Sequence, residues 1–171
     1  GYVATTLAHR HPGLVDGLVL SGCSANPVRG LNVVTRGLGG LSRLATKSDR
    51  LRRAVAGRLA EWVRNREHLT PLDTQEILDA GFYPTQYGRA APFPAGTDFR
   101  SQLSTYPGPT LILNGGNDTV MRRGEDAHLA AAQQGHLGVI EDVGHVCNLH
   151  RPATYAATVA EFASERVAPT V

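Results

Sequence analysis

The sequence lacks several features that would assign it to a class at once. No apolar run approaches the roughly 18 to 20 residues that a membrane-spanning helix requires. A formal net charge of only +2 over 171 residues gives no electrostatic sign of nucleic acid binding. The apolar content of 42% is ordinary for a globular chain and is sufficient for a core. We therefore expect a globular domain with no membrane span and no nucleic acid partner, and the oligomeric state stays open.

Cysteine pairs and metal motifs are also missing. Cys23 and Cys147 lie far apart and form no Cys-x-x-Cys pair, which favours two free thiols in a reducing compartment over a disulfide. Among the seven histidines, His9 and His11 are two residues apart on a predicted helix and point in different directions. No His-Glu-x-x-His motif is present. The sequence therefore predicts no metal site, and no cofactor is expected.

The chain begins with Gly1 instead of methionine, and its first residues already have helical spacing. Such a start is typical of a piece of a longer chain, so any targeting signal would lie outside the printed sequence. Free thiols favour the cytoplasm, which is the location that we expect.

Apolar periodicity predicts strands that alternate with helices. The predicted strands are residues 16–22, 110–116 and 136–142. The predicted helices are residues 2–11, 31–47, 49–68, 73–80, 123–134 and 152–166. The stretch 83–98 is rich in Pro, Gly and Ala and is predicted to be a loop. This alternation predicts an α/β fold, in which a parallel sheet is flanked by helices.

The helical stretch between the first two predicted strands is too long to be a simple connection. We expect residues 1–26 and 107–171 to form the α/β core and residues 27–106 to form a helical cap inserted into it. Between Arg29 and Arg66 the insertion carries ten basic and two acidic residues, a net charge of +8. A solvated helix face explains this charge, and attraction of an anionic substrate or an acidic surface is the alternative.

Two side chains with catalytic chemistry follow successive predicted strands. Asp118 comes after the second strand in a glycine-rich loop, and His145 comes after the third. Ligands of open α/β sheets bind at the carboxyl ends of strands, where these loops meet. A carboxylate that accepts the proton of histidine Nδ1 leaves Nε2 free to act as a base. Asp118 could instead be a helix cap, and Asp142 is the alternative partner for His145.

The segments around these residues carry a resemblance to a known family. Residues 110–118 read Thr-Leu-Ile-Leu-Asn-Gly-Gly-Asn-Asp, and residues 143–152 read Val-Gly-His-Val-Cys-Asn-Leu-His-Arg-Pro. They resemble the acid loop and the Gly-His segment of the α/β-hydrolase superfamily, and residues 1–26 resemble the stretch after its nucleophile elbow. The resemblance implies a partial α/β-hydrolase fold, with Asp118 as triad acid and His145 as general base.

The family places its nucleophile in a Gly-x-Ser-x-Gly turn, and no such turn occurs in this sequence. Ser21 lies at the end of the first predicted strand, and Cys23 and Ser24 follow it, but the serines lack glycines on both sides and no base is placed for Cys23 by the sequence. We expect Cys147 to pack as a small apolar residue. The nucleophile is therefore expected to precede Gly1, and the printed chain is expected to be inactive by itself.

Apolar residues recur on one side of the predicted helix 49–68, and we expect this stripe to pack over the sheet and roof a pocket. Its members are Leu51, Val55, Leu59, Trp62 and Val63. Trp62, Val120 and Val146 are candidate substrate contacts, although Trp62 could equally be a core residue.

The resemblance implies that the intact parent is a serine-type hydrolase of an ester, lactone or similar acyl bond. Its expected partner is a small molecule, apolar or weakly anionic. The alternatives are another reaction on the same fold, namely haloalkane or C–C bond hydrolysis, lyase chemistry or perhydrolysis, and a truncated, inactive chain.

Overall fold

The computed structural model describes residues 1–67 and 69–167, and it contains a parallel three-stranded sheet. The strands are β1 (Leu18–Ser21), β2 (Pro109–Gly115) and β3 (Gln134–Ile140), in the order β1-β2-β3. Leu18 of β1 lies beside Thr110 of β2, and Leu111 of β2 lies beside His136 of β3. The continuous apolar sequence of β2 fits its central, buried position. The predicted parallel sheet with flanking helices is confirmed.

Helices occupy most of the remaining chain. They are α1 (Tyr2–Arg10), α2 (Gly30–Ala45), α3 (Asp49–Arg64), α4 (Pro71–Ala80), α5 (Thr85–Ala90), α6 (Phe99–Leu103), α7 (Thr119–Ala131), α8 (Cys147–His150) and α9 (Pro152–Phe162). A short 3-10 turn (Pro12–Leu14) follows α1, and a π-helical turn (Ala163–Val167) follows α9. The sequence anticipated the long helices, because each has strong apolar periodicity or a capping residue.

The short helices were not anticipated. Residues 85–90 were predicted to be loop, and this prediction was wrong, because α5 forms there. Tertiary contacts replace the missing local signal: Gly88 packs against the backbone of Arg43, whose Nε donates to Gly88 O at 2.7 Å. The helix α7 begins at Thr119, four residues before its predicted start, because the Asp118 side chain caps it.

The chain divides into two compact units. The core unit contains residues 1–26 and the described residues from 98 onward, and the helical unit contains residues 27–97. Residues 98–106, which the sequence assigned to the insertion, therefore belong to the core unit. The reason is burial: Leu103 and Tyr106 are buried in one apolar cluster with Ala8 and the strand β1.

The core unit has an apolar cluster on each face of its sheet. One cluster contains Ala8, Leu18, Leu20, Leu103 and Tyr106. The other contains Leu111, Leu113, Ile140, Val143, Cys147 and Phe162, and Val19 packs against it. Because neighbouring side chains of a strand point to opposite faces, Leu18 and Val19 contribute to different clusters. The buried position of Cys147 in the second cluster confirms its predicted packing role.

The helical unit is held together differently. On one side of α2, Arg36 and Arg43 donate to the backbone oxygens of Ala95 and Gly88. The opposite side of α2 is apolar, and its residues Leu31, Val34, Leu38 and Leu41 are 40–63% exposed. Val33 and Leu44, on the flank between the two sides, are 71% and 64% exposed. In the α3 stripe Val63 is buried, whereas Leu51, Val55 and Leu59 are 40–49% exposed.

Candidate active site

The loops after the three strands converge at the carboxyl edge of the sheet. The backbone N–H of Gly22, after β1, donates to Leu113 O at 3.0 Å. Gly116 N donates to Ile140 O at 2.8 Å, and Asn117 N donates to Val143 O at 2.8 Å. Backbone hydrogen bonds therefore fix the loop after β1 to the strand β2, and the loop after β2 to the end of β3 and the loop that follows it.

Two glycines allow these loops to approach one another. Gly22 has a φ of +58°, and a Cβ at this position would lie 3.0 Å from His145 Cε1. A Cβ at Gly115 would lie only 2.2 Å from the carbonyl oxygen of Gly144. A larger residue at either position would displace the loop that carries His145.

Asp118 makes two different contacts with its two carboxylate oxygens. Oδ1 accepts from Met121 N at 3.2 Å, which caps the N-terminus of α7. Oδ2 lies 2.7 Å from His145 Nδ1. The two interpretations of Asp118, helix cap and histidine partner, are therefore both realised. The side chain of Asp118 is 6% exposed, whereas that of His145 is 58% exposed.

This geometry determines the tautomer of His145. A carboxylate only accepts hydrogen bonds, so the proton of the neutral ring belongs on Nδ1. Nε2 then carries the lone pair and can accept a proton from another group. The buried carboxylate can also stabilise the imidazolium that such a transfer would create. The arrangement is thus chemically suited to general base catalysis.

The alternative candidates for the acid and the nucleophile lie in places less suited to catalysis. Asp142 is exposed and has a φ of +61°. Ser24 is buried among polar side chains, and the Ser21 hydroxyl lies 3.8 Å from the Cys147 sulfur. Cys23 Sγ donates to Ser21 O at 2.9 Å, and both cysteines are free thiols.

The candidate substrate contacts occupy three different settings. Val120 lies in the first turn of α7 and is 60% exposed, and the half-buried Val146 directly follows His145. Trp62 belongs to the helical unit, where the Arg66 guanidinium carbon lies 4.5 Å from its ring centre. A role of these residues in substrate binding stays a prediction.

Sequence reasoning missed a row of four polar side chains in the core unit, of which Glu125, Asn114 and Ser24 are buried and Arg122 is partly exposed. Arg122, Glu125, Asn114 and Ser24 are joined by hydrogen bonds, and we call them the polar row. A signal was available: Asn114 interrupts an apolar strand, where a polar residue requires a partner. The identity of that partner was not available, because Glu125 and Ser24 are distant in sequence.

A second buried polar pair lies nearby. Arg100 Nε donates to His128 Nδ1 at 3.1 Å, and the same ring nitrogen lies 3.2 Å from Gly124 O. Burial, reinforced by the charge of Arg100, lowers the pKa of His128 to about 4. Burial also raises the pKa of Tyr2 to about 12, and its hydroxyl donates to Ala25 O at 2.7 Å. Both groups are therefore neutral at neutral pH.

Metal sites and membrane spans are the remaining features to consider. Among the residues that the structure describes, no group of three or more His, Cys, Asp or Glu side chains is arranged to hold a metal ion. Within residues 1–67 and 69–167, no helix has the length and apolar character needed to cross a membrane.

Comparison with known proteins identifies the wider family. A model of the alpha/beta hydrolase family matches residues 1–158. No curated protein matches the sequence. Among solved structures, a thermophilic esterase from Thermogutta terrifontis superimposes with a TM-score of 0.69 at 23% identity, over 96% of this chain and 61% of that one.

Two further solved structures have the same fold. MenH from S. aureus gives a TM-score of 0.69 at 15% identity, over 95% of this chain and 64% of that one. A proline iminopeptidase from Mycobacterium smegmatis gives 0.58 at 18% identity, over 96% and 62%. At these identities the likeness shows the fold alone, and the chain spans less than two thirds of each of these structures.

Proposed function

Because this chain belongs to the alpha/beta hydrolase family, we propose that it supplies the acid and the base of a serine-type hydrolase that cleaves an ester, lactone or similar acyl bond. The observation that carries the proposal is the 2.7 Å contact between Asp118 Oδ2 and His145 Nδ1. It lies at the carboxyl edge of a parallel sheet, where ligands of α/β folds bind.

The proposed reaction proceeds in two steps. In the first, a serine hydroxyl attacks the carbonyl carbon, His145 Nε2 takes the hydroxyl proton, and the same nitrogen returns it to the leaving group. In the second, water attacks the acyl-enzyme and gives a proton to His145 Nε2, which passes it to the departing serine oxygen, so that the carboxylic acid, the free serine and the neutral imidazole are formed. Asp118 holds the ring and stabilises its charged form in both steps, and it keeps its own negative charge throughout.

We place the nucleophile in a part of the parent protein that the printed sequence does not include. The proposal is supported by the length comparison, since the chain covers 61–64% of the three solved structures. Neither serine after β1 replaces it well. Ser24 is buried in the polar row, and the Ser21 hydroxyl contacts the Cys147 sulfur.

The proposed substrate is a small molecule with an apolar acyl or alkoxy part. Val120 and Val146 support this choice, because Val120 lies two residues after Asp118 and Val146 directly follows His145. The exposed Val120 side chain offers an apolar contact beside the reacting groups.

The test uses the full-length parent enzyme and a series of p-nitrophenyl esters. We expect His145→Ala and Asp118→Asn each to lower kcat by about 10³-fold or more, since each removes a part that acts only in the transition state. The amide oxygen introduced by Asp118→Asn can still cap α7, so the fold of that variant should persist.

Two matched substitutions serve as controls. Asp126→Asn changes an exposed carboxylate on α7, and His11→Ala removes an exposed imidazole; both should leave kcat within about twofold, as is usual for surface changes. A parent enzyme whose kcat is unchanged by His145→Ala would contradict the proposal.

A further inference from the structure

Glu125 is a buried carboxylate for which the proposed reaction has no direct use. It lies on α7 seven residues after Asp118, so both side chains project from the same side of the helix about 10 Å apart. Glu125 is only 5% exposed. A charge in this position is retained only where its neighbours compensate for the lost hydration.

Every oxygen of the Glu125 carboxylate has a donor. Oε1 accepts from Arg122 Nη2 at 2.9 Å and from Arg122 Nε at 3.1 Å. Oε2 accepts from Asn114 Nδ2 at 3.1 Å. The carboxylate therefore joins its own helix to the end of the strand β2.

Asn114 continues the polar row to the loop after β1. Its Nδ2 also donates to Ser24 Oγ at 2.9 Å, and the Ser24 hydroxyl lies 3.3 Å from Asn114 Oδ1. Because the Glu125 carboxylate only accepts, the NH₂ group of Asn114 must face it. The Glu125 carboxylate thus accepts from both sides, from Arg122 and from Asn114, and the Asn114 amide also donates to Ser24.

Two members of the polar row, Asn114 and Ser24, belong to segments that contact the Asp118–His145 pair. Asn114 directly precedes Gly115, whose carbonyl oxygen accepts from Asp118 N at 3.0 Å. Ser24 lies two residues after Gly22, which packs against the His145 ring. A Cβ at Gly124 would lie 2.1 Å from Ser24 O, so α7 and this loop are in direct backbone contact.

We propose that Glu125 is a positioning residue. It fixes the position of α7 against β2 and the loop after β1, and it thereby holds Asp118 Oδ2 at His145 Nδ1. The inference rests on the proposed function of that pair. A shift of α7 along its axis would move the Asp118 carboxylate together with the helix that it caps. The 2.7 Å contact with His145 would then lengthen, although neither residue had been changed.

The variant that tests this role is Glu125→Met, which keeps the length of the side chain and removes both acceptors. The readout is the ring-nitrogen NMR shifts of His145 in the full-length protein, at a pH where the ring is neutral, with the signals assigned by their loss in His145→Gln. The wild type should hold the Nδ1–H tautomer. In Glu125→Met the ratio of the Nδ1–H to the Nε2–H tautomer should fall about tenfold, the equivalent of one hydrogen bond to a charged group.

A structural control separates positioning from general destabilisation. Leu18→Ala weakens the apolar cluster that includes Leu103 and Tyr106, without touching the polar row. It should lower the unfolding midpoint as Glu125→Met does, yet keep the tautomer ratio of the wild type. Glu125→Gln should recover most of the ratio, because the Asn114 amide can turn over to accept from the new NH₂ group while Ser24 still bonds to it.

Two results would overturn the inference: a wild-type tautomer ratio in Glu125→Met, or a loss of the ratio in Leu18→Ala equal to that in Glu125→Met. The readout does not depend on turnover. A parent enzyme that fails in the ester assay but shows the expected tautomer ratios would reject the proposed reaction and leave the positioning role intact.

Discussion

The core unit and the helical unit use apolar side chains in opposite ways. In the core unit Leu113, Leu103 and Phe99 are buried, and the sheet has an apolar cluster on each face. In the helical unit the apolar side of α2 is exposed, whereas its polar side holds the unit together through Arg36 and Arg43. Apolar periodicity is equally clear in both units. It therefore identifies helices in both, but it does not tell which side of a helix carries the tertiary contacts.

The largest stability difference between the units should come from shortening one leucine in each. Leu113→Ala should lower the free energy of unfolding by about 2–5 kcal/mol, because it opens a cavity in a closed core. Leu41→Ala, on the exposed side of α2, should change it by less than about 0.5 kcal/mol. Urea unfolding of both variants in the full-length protein measures the contrast. Equal losses would break the comparison, since they would mean that the apolar side of α2 is covered in solution.

A smaller difference should appear as the pH is lowered. His128 has a folded-state pKa of about 4, and an unfolded histidine has one of about 6.5. Between these values the unfolded chain binds more protons, so the stability present near pH 7 is lost as the pH falls toward 4. The cost at pH 4.5 should be about 2–3 kcal/mol.

The variant His128→Asn isolates this effect, because it keeps an acceptor for Arg100 and does not titrate. Its unfolding free energy should fall less than that of the wild type between pH 7 and pH 4.5. Parallel pH profiles for the two proteins would show that His128 is not the titrating group.

The smallest contrast is between two helical glycines. At Gly124 of α7 a Cβ would meet the Ser24 carbonyl at 2.1 Å, whereas at Gly57 of α3 nothing lies within 4 Å. Gly124→Ala should destabilise the protein by about 1–3 kcal/mol through overpacking. Gly57→Ala should stabilise it by about 0.5–1 kcal/mol, because alanine favours the helix. Thermal unfolding of both variants gives the signs, and a matching sign would remove the distinction between the units.

The sequence revealed the parts of the molecule whose signals are local. Strand β2, the long helices and the parallel arrangement all follow from apolar runs and from the order of the elements. Asp118 and His145 were found because each follows a strand in a glycine-containing loop, and the structure brings them together. The proposed catalytic role of the pair remains to be tested by activity.

What sequence reasoning missed depends on contacts between distant residues. The helix α5 forms where α2 supplies a partner for Gly88, and no local sequence pattern predicts this helix. The sequence alone does not distinguish Glu125 from an exposed charged residue of a surface helix. Its burial results from contacts with β2 and with the loop after β1. The segment 98–106 joined the core unit for the same reason, because its large apolar residues are buried there.

One oxygen of Asp118 caps α7 and the other contacts His145, and this separation has an evolutionary consequence. An asparagine at this position keeps an oxygen for the cap of α7 and loses the negative charge beside His145. Every aspartate codon is one base change from an asparagine codon. Under the proposed function, a lineage released from selection for hydrolysis could therefore lose the acid by a single mutation that leaves the cap of α7, and with it the fold, in place. Its descendants would persist as folded relatives without the reaction, and residue 118 would be the position to inspect first.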